Sequence, residues 1–106
     1  MDKREAVRVP VHAQASCRGS GIVIEGLVED VSRSGLFLRA PMGLRPGSVA
    51  EIEVDLAGEP PLYLAAEVVR VEVGSGREGM GLKFVESPEQ NRSLANFIMR
   101  HNQFDR

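Results

Sequence analysis

Arg4 and Arg8 stand four residues apart near the start of the chain. About twenty residues later comes Asp30-Val31-Ser32-Arg33-Ser34-Gly35, an Asp-x-Ser-x-x-Gly pattern. Together they supply two planar cations, one acceptor anion, one hydroxyl and one permissive glycine. A guanidinium can grip a phosphate, or the O6/N7 edge of guanine, with two parallel hydrogen bonds. A carboxylate accepts, so Asp30 suits the N–H groups of a base edge. The set therefore fits a ligand that carries both phosphates and guanine edges.

Each piece has a duller alternative. Two arginines near a chain start read equally as a solvated basic tail. Pro10 and the neighbouring valines disfavour helix there, so the segment is extended. Four residues of strand separate the arginines by roughly 13 Å on one side, close enough to converge on one bulky anion. Asp30, Ser32 and Gly35 also read as a turn, with Asp and Ser closing it and glycine supplying a positive φ. In an extended backbone Asp30 and Ser32 share a face, so both could meet a ligand while Gly35 turns the chain.

The elements that must position these residues alternate with a period of two. Val7, Val9, Val11, Ala13, Ala15 and Cys17 fall on one face of a first strand. Gly19-Ser20-Gly21 is a turn, Ile22 to Glu29 a second strand, and Leu36 to Arg39 a short third. Pro41 to Gly47 is a loop. Ala50, Ile52, Val54 and Leu56 alternate with Glu51, Glu53 and Asp55 in a fourth strand with an acidic outer face. Leu62 to Val73 is a fifth, whose apolar phase shifts near Val68-Val69 and predicts a bulge or bend. Met80, Leu82 and Phe84 mark a sixth. Ser87-Pro88-Glu89-Gln90 then carries the signals of a helix start, including the glutamine of a capping box, and Leu94, Phe97, Ile98 and His101 keep helical spacing. The leading expectation for that stripe is a core-facing surface, with a partner-binding face as the alternative. Short, evenly spaced strands predict a mainly β chain, a small six-stranded antiparallel β-barrel with a C-terminal α-helix.

The three short segments Arg4-Glu5-Ala6-Val7-Arg8, Asp30-Val31-Ser32-Arg33-Ser34-Gly35 and Gly81-Leu82-Lys83-Phe84 resemble, in order and spacing, those of the PilZ domain, the bacterial receptor module for cyclic di-GMP. The resemblance covers nearly the whole chain and implies the same barrel and helix. It implies that Arg4 and Arg8 bind phosphate and guanine groups of cyclic di-GMP, with Asp30, Ser32 and Gly35 completing the site. Lys3 and Arg33 fall at positions where the family varies and are additional candidate contacts. The expected organisation is one domain over residues 1–106: a flexible clasping arm at 1–9, a barrel at 10–86 and a helix at 87–101. The expected function is a non-enzymatic receptor whose arm reorders on ligand binding and signals to a downstream protein. A ligand-independent interaction module of the same fold is the alternative.

Composition sets bounds on this. A chain of 106 residues with a formal net charge of −2 holds one core and lacks the basic field that a DNA or RNA binder needs. Cys17 is the only cysteine, so no disulfide or cysteine metal cage forms within the chain, and its place on the apolar face predicts a buried small hydrophobe. His12 and His101 have no partners at metal-ligand spacing, and no catalytic arrangement or cofactor site is visible. Gly74-Ser75-Gly76-Arg77-Glu78-Gly79 matches a dinucleotide fingerprint, but a strand follows it where a helix must, so it reads as a hairpin loop. With no apolar leader or spanning run, the expectation is a cytoplasmic monomer or weak homodimer.

Overall fold

The computed structural model describes residues 8–74 and 76–101. Six antiparallel strands close into a barrel in the order β1-β2-β3-β6-β5-β4. They are β1 (Arg8–Gly19), β2 (Ile22–Ser32), β3 (Gly35–Arg39), β4 (Val49–Val54), β5 (Leu62–Glu72) and β6 (Gly79–Phe84), followed by helix α1 (Pro88–His101). Two three-stranded meanders form the wall. One seam joins β3 to β6, with Leu36 opposite Leu82 and Phe37 opposite Gly81. The other joins β1 to β4, with Cys17 opposite Ile52. The barrel and terminal helix expected from the alternation are both present.

The inward positions make the core: Val9, Ala15, Cys17, Ile24, Val28, Val31, Leu36, Leu38, Ile52, Val54, Val68, Met80 and Leu82. Helix α1 plugs the end of the barrel where β1 begins, burying Leu94, Phe97 and Ile98. The stripe therefore faces the chain's own core. Ser87 caps the helix, its Oγ accepting the Gln90 amide at 3.2 Å. The capping box is not completed. The Gln90 side chain instead takes the backbone of β5, accepting the Ala65 amide at 2.8 Å and donating to the Ala65 carbonyl at 2.9 Å. Gln90 thus ties the helix to the barrel.

The boundary expected between arm and barrel moves. Arg8 and Val9 already belong to β1, opposite Ser32 and Val31, and Val9 is only 1% exposed. Burial of that valine against β2 agrees with the alternation that already runs through Val9, and the last two residues of the expected arm are strand.

Three register shifts break the regular pairing. In β1 the shift lies between Pro10 and Ala13, where His12 adopts φ +49°. In β2, Glu29 and Asp30 together oppose Phe37. In β5, Val69 is the extra residue between the Val68–Leu82 and Arg70–Gly81 pairs. This is the bulge that the phase shift at Val68-Val69 predicts. A bulge inverts which face the following residues use. In β2 the buried positions run Ile24, Val28 and then Val31, so Asp30 is turned outward where strict alternation would bury it. In β5 they run Leu64, Ala66 and Val68, and the bulge turns Arg70 outward in the same way. Among the described residues no helix is long and apolar enough to cross a membrane.

Candidate ligand cleft

Both re-aimed side chains face one open cleft of about 520 Å³ on the outer wall over β3 and β6. It runs from the β2–β3 turn at the helix end to the β5–β6 loop at the other. Its lining includes Arg8, Asp30, Ser32, Gly35, Phe37, Arg70, Arg77 and Lys83. Its size falls within the roughly 300–1,000 Å³ of small-molecule sites. Four cations face one carboxylate there, a local positive field on a chain of net negative charge.

The two sequence motifs meet at its rim. Arg8 Nη1 donates to Asp30 Oδ1 at 3.1 Å, with the two side chains 55% and 33% exposed. Such a solvent-exposed pair stabilises the fold by only about 0–1 kcal/mol, so a ligand can enter it at little cost. Among the described residues Ser32 is the one buried polar side chain, 2% exposed. Its hydroxyl donates to the Gly35 carbonyl at 3.1 Å and accepts the Ser34 and Gly35 amides at 3.3 and 3.2 Å. Ser32 therefore builds the turn that presents Asp30. Gly35 is required for a reason other than the positive φ the turn pattern suggests. A Cβ at that position would run into the Leu82 carbonyl oxygen of β6. The β3–β6 seam closes only over a hydrogen.

Arg33 is exposed at the tip of the turn and takes no part in the cleft lining. Lys3 and Arg4 lie outside the described residues.

Arg70, Phe37 and Arg77 form the part of the cleft that the sequence motifs do not contain. Arg70 is held through its Nε by Glu72 at 2.9 Å and crosses β6 where Gly81 has no side chain, with atoms 3.0–3.2 Å from where a Cβ would sit. The glycine of the Gly81-to-Phe84 segment thus makes room for that arginine. The apolar phase shift at Val68-Val69 was the available signal for Arg70, because everything after a bulge changes face. Arg77 comes from the glycine loop rejected as a dinucleotide fingerprint, and that loop is indeed the β5–β6 hairpin connection.

Two titratable groups outside the cleft lining, one carboxyl and one thiol, have environments set by simple causes. The Arg39 hydrogen bond holds the Glu29 carboxyl below its ordinary range, with the positive charges of Arg39, Arg77 and His12 acting in the same direction and modest desolvation opposing them. Burial pushes the Cys17 thiol up. Among the described residues no group of three His, Cys, Asp or Glu side chains has a geometry to hold a metal ion.

The PilZ domain family model matches residues 2–100. The chain belongs to the PilZ domain family. No curated protein matches it in sequence. Among solved structures, the PilZ domain of CeSA from a cellulose-synthesising bacterium matches with a TM-score of 0.70 and 22% identity, covering 92% of this chain and 99% of that one. The PilZ domain of Escherichia coli YcgR, solved with c-di-GMP, matches with a TM-score of 0.72 and 14% identity over 92% of this chain and 89% of that one. The Bacillus subtilis inhibitor of motility (MotI/DgrA) matches with a TM-score of 0.67 and 18% identity, over 94% of this chain and 51% of that one. At these identities the likeness is one of fold. Arg8, Asp30, Ser32 and Gly35 of this PilZ domain nevertheless stand together on one cleft, as their motifs require.

Proposed function

We propose that this PilZ domain is a non-enzymatic receptor for cyclic di-GMP, bound at the cleft over β3 and β6. The observation that carries the proposal is the Arg8–Asp30 contact at 3.1 Å, which brings the cation of one motif to the acceptor of the other at the rim of a basic cleft. Arg8 and Arg4 take phosphate and guanine edges, and Asp30 accepts guanine N–H groups. Ser32 and Gly35 hold the turn, and Lys3 and Arg33 are further contacts. The segment before β1 closes over the ligand, and a downstream protein senses the altered surface. Ligand shifts that equilibrium only by its differential affinity for the closed arrangement. Charge-assisted hydrogen bonds contribute on the order of 1.5–3 kcal/mol each, so a handful, less the ordering cost, reaches micromolar affinity at about −8 kcal/mol. A cytoplasmic location goes with this proposal, since a second messenger acts there.

Calorimetric titration of the purified chain tests it. Arg8→Ala and Asp30→Ala each weaken binding more than tenfold, and Arg8→Lys weakens it too, because a point charge cannot replace a planar fork. No heat from wild type at tens of micromolar ligand refutes the receptor role.

A second reading has one observation behind it. Arg8 is already paired with Asp30, and Ser32 spends its hydroxyl within the turn. The motif is thus self-satisfied without ligand, as a protein-interaction module of the same fold would need. Amide spectra that ignore nucleotide but respond to a partner protein would favour it.

A further inference from the structure

Phe37 is out of place for a barrel exterior. Its strand neighbours Leu36 and Leu38 point into the core, so Phe37 points outward, yet it is only 6% exposed. Two guanidinium groups cover it. Arg77 Cζ lies 4.1 Å from the ring centroid and Arg70 Cζ 5.8 Å. The shorter distance puts the Arg77 cation close over the ring, and the longer puts that of Arg70 near the edge of attraction. Both arginines and the phenylalanine line the same cleft as Arg8 and Asp30. Arg70 is anchored by Glu72, whereas among the described residues Arg77 makes no ion pair.

We infer that Arg77, seated on Phe37, is a preformed shelf on which a purine base of the ligand stacks. The inference rests on the receptor function proposed above and assigns the base a place in it. The phenyl ring lies on one side of the guanidinium, and Arg77 is otherwise exposed along the cleft that it lines. A base laid there completes a column of base, cation and phenyl. A phenyl ring beneath the cation fixes its tilt, so little freedom is lost when the base arrives. Stacking of this kind tolerates any base, because every base has a π-face. Arg77 therefore contributes affinity for a purine nucleotide, while Asp30 supplies the choice of guanine.

A cation that merely touched a phosphate would behave differently, and substitution by lysine separates the two. Cyclic di-GMP is titrated calorimetrically into wild type, Arg77→Ala and Arg77→Lys, at low and at high salt, with Arg8→Ala alongside. The expected result is that Arg77→Ala weakens binding by about tenfold or more, and that Arg77→Lys falls nearer to Arg77→Ala than to wild type at both salt concentrations. Arg77→Lys nearer to wild type overturns the shelf and makes Arg77 a point charge for phosphate. Wild-type affinity in Arg77→Ala, with binding lost in Arg8→Ala, overturns the shelf and leaves the receptor function standing. In that case Arg77 only shields Phe37, and a lower thermal midpoint without a change in affinity records it. Wild type that releases no heat takes both the receptor function and the shelf with it.

Discussion

Replacing Ser32 by alanine removes one hydroxyl and four hydrogen bonds: the donation to the Gly35 carbonyl and the acceptance of two amides, at 3.1–3.3 Å, and a weak contact with the Ser34 hydroxyl at 3.4 Å. Solvent reaches the exposed Ser34 and re-satisfies its amide, so that loss is small. The Gly35 amide is half-buried against β6 and recovers less. An intramolecular hydrogen bond is worth about 1 kcal/mol net, and a buried donor left unpaired costs a further 1–3 kcal/mol. The sum for Ser32→Ala is about 2–4 kcal/mol, or a fall of roughly 10–20 °C in the unfolding midpoint of a domain this size. Ser34→Ala is the control. Its one side-chain contact, at 3.4 Å to Ser32, is weak, so it should cost less than about 0.5 kcal/mol. Urea denaturation of both variants, compared at matched slope, reads the difference. Stability of Ser32→Ala within about 0.5 kcal/mol of wild type would refute the idea that this hydroxyl builds the turn, and with it the account of how Asp30 is held.

Gln90→Ala should destabilise by about 1–3 kcal/mol in the same assay, because it orphans the amide of Ala65 in β5, whose carbonyl keeps the Val85 amide at 2.9 Å. Cys17, fully buried with its thiol pushed up by desolvation, should resist alkylation in the native state and react at the rate of global unfolding, followed by mass spectrometry across a denaturant series. Glu29 has its folded pKa below the ordinary value of 4.5, so its small contribution is present above that pH and is lost as pH falls through the lower folded value. Arg39→Ala should move the Glu29 carboxyl titration back up in NMR, and an unmoved titration would show that Arg39 is not the cause.

How much was legible in the sequence follows from how far each feature is local. Strand alternation, the terminal helix and the loop nature of the Gly74-to-Gly79 segment depend on neighbouring residues, and periodicity carries them. The bulge at Val69 left a visible phase shift. The one at Glu29 and Asp30 left a subtler trace, a buried set that changes from even to odd numbers between Val28 and Val31. Alternation already put Val9 on the first strand, but its burial depends on its partner Val31, which only register supplies. Arg70 and Arg77 were missed as cleft residues for the same reason. Their closeness to Phe37 joins β3, β5 and the β5–β6 loop, and no spacing along the chain encodes it. His12 and His101, distant in sequence, likewise border a single surface depression at the end plugged by α1.

Closure of the wall carries a consequence for signalling. With β4 bonded to β1 and β3 to β6, each strand has a neighbour on either side. A visiting chain therefore finds no full-length strand edge to extend: only short stretches, such as the start of β1 and the first half of β2, lack a second ladder partner among the described residues, which leaves strand addition little to build on. A protein that listens to this domain has mainly side chains and loops on its outside to read. Those are the groups that an incoming anion at the cleft would rearrange.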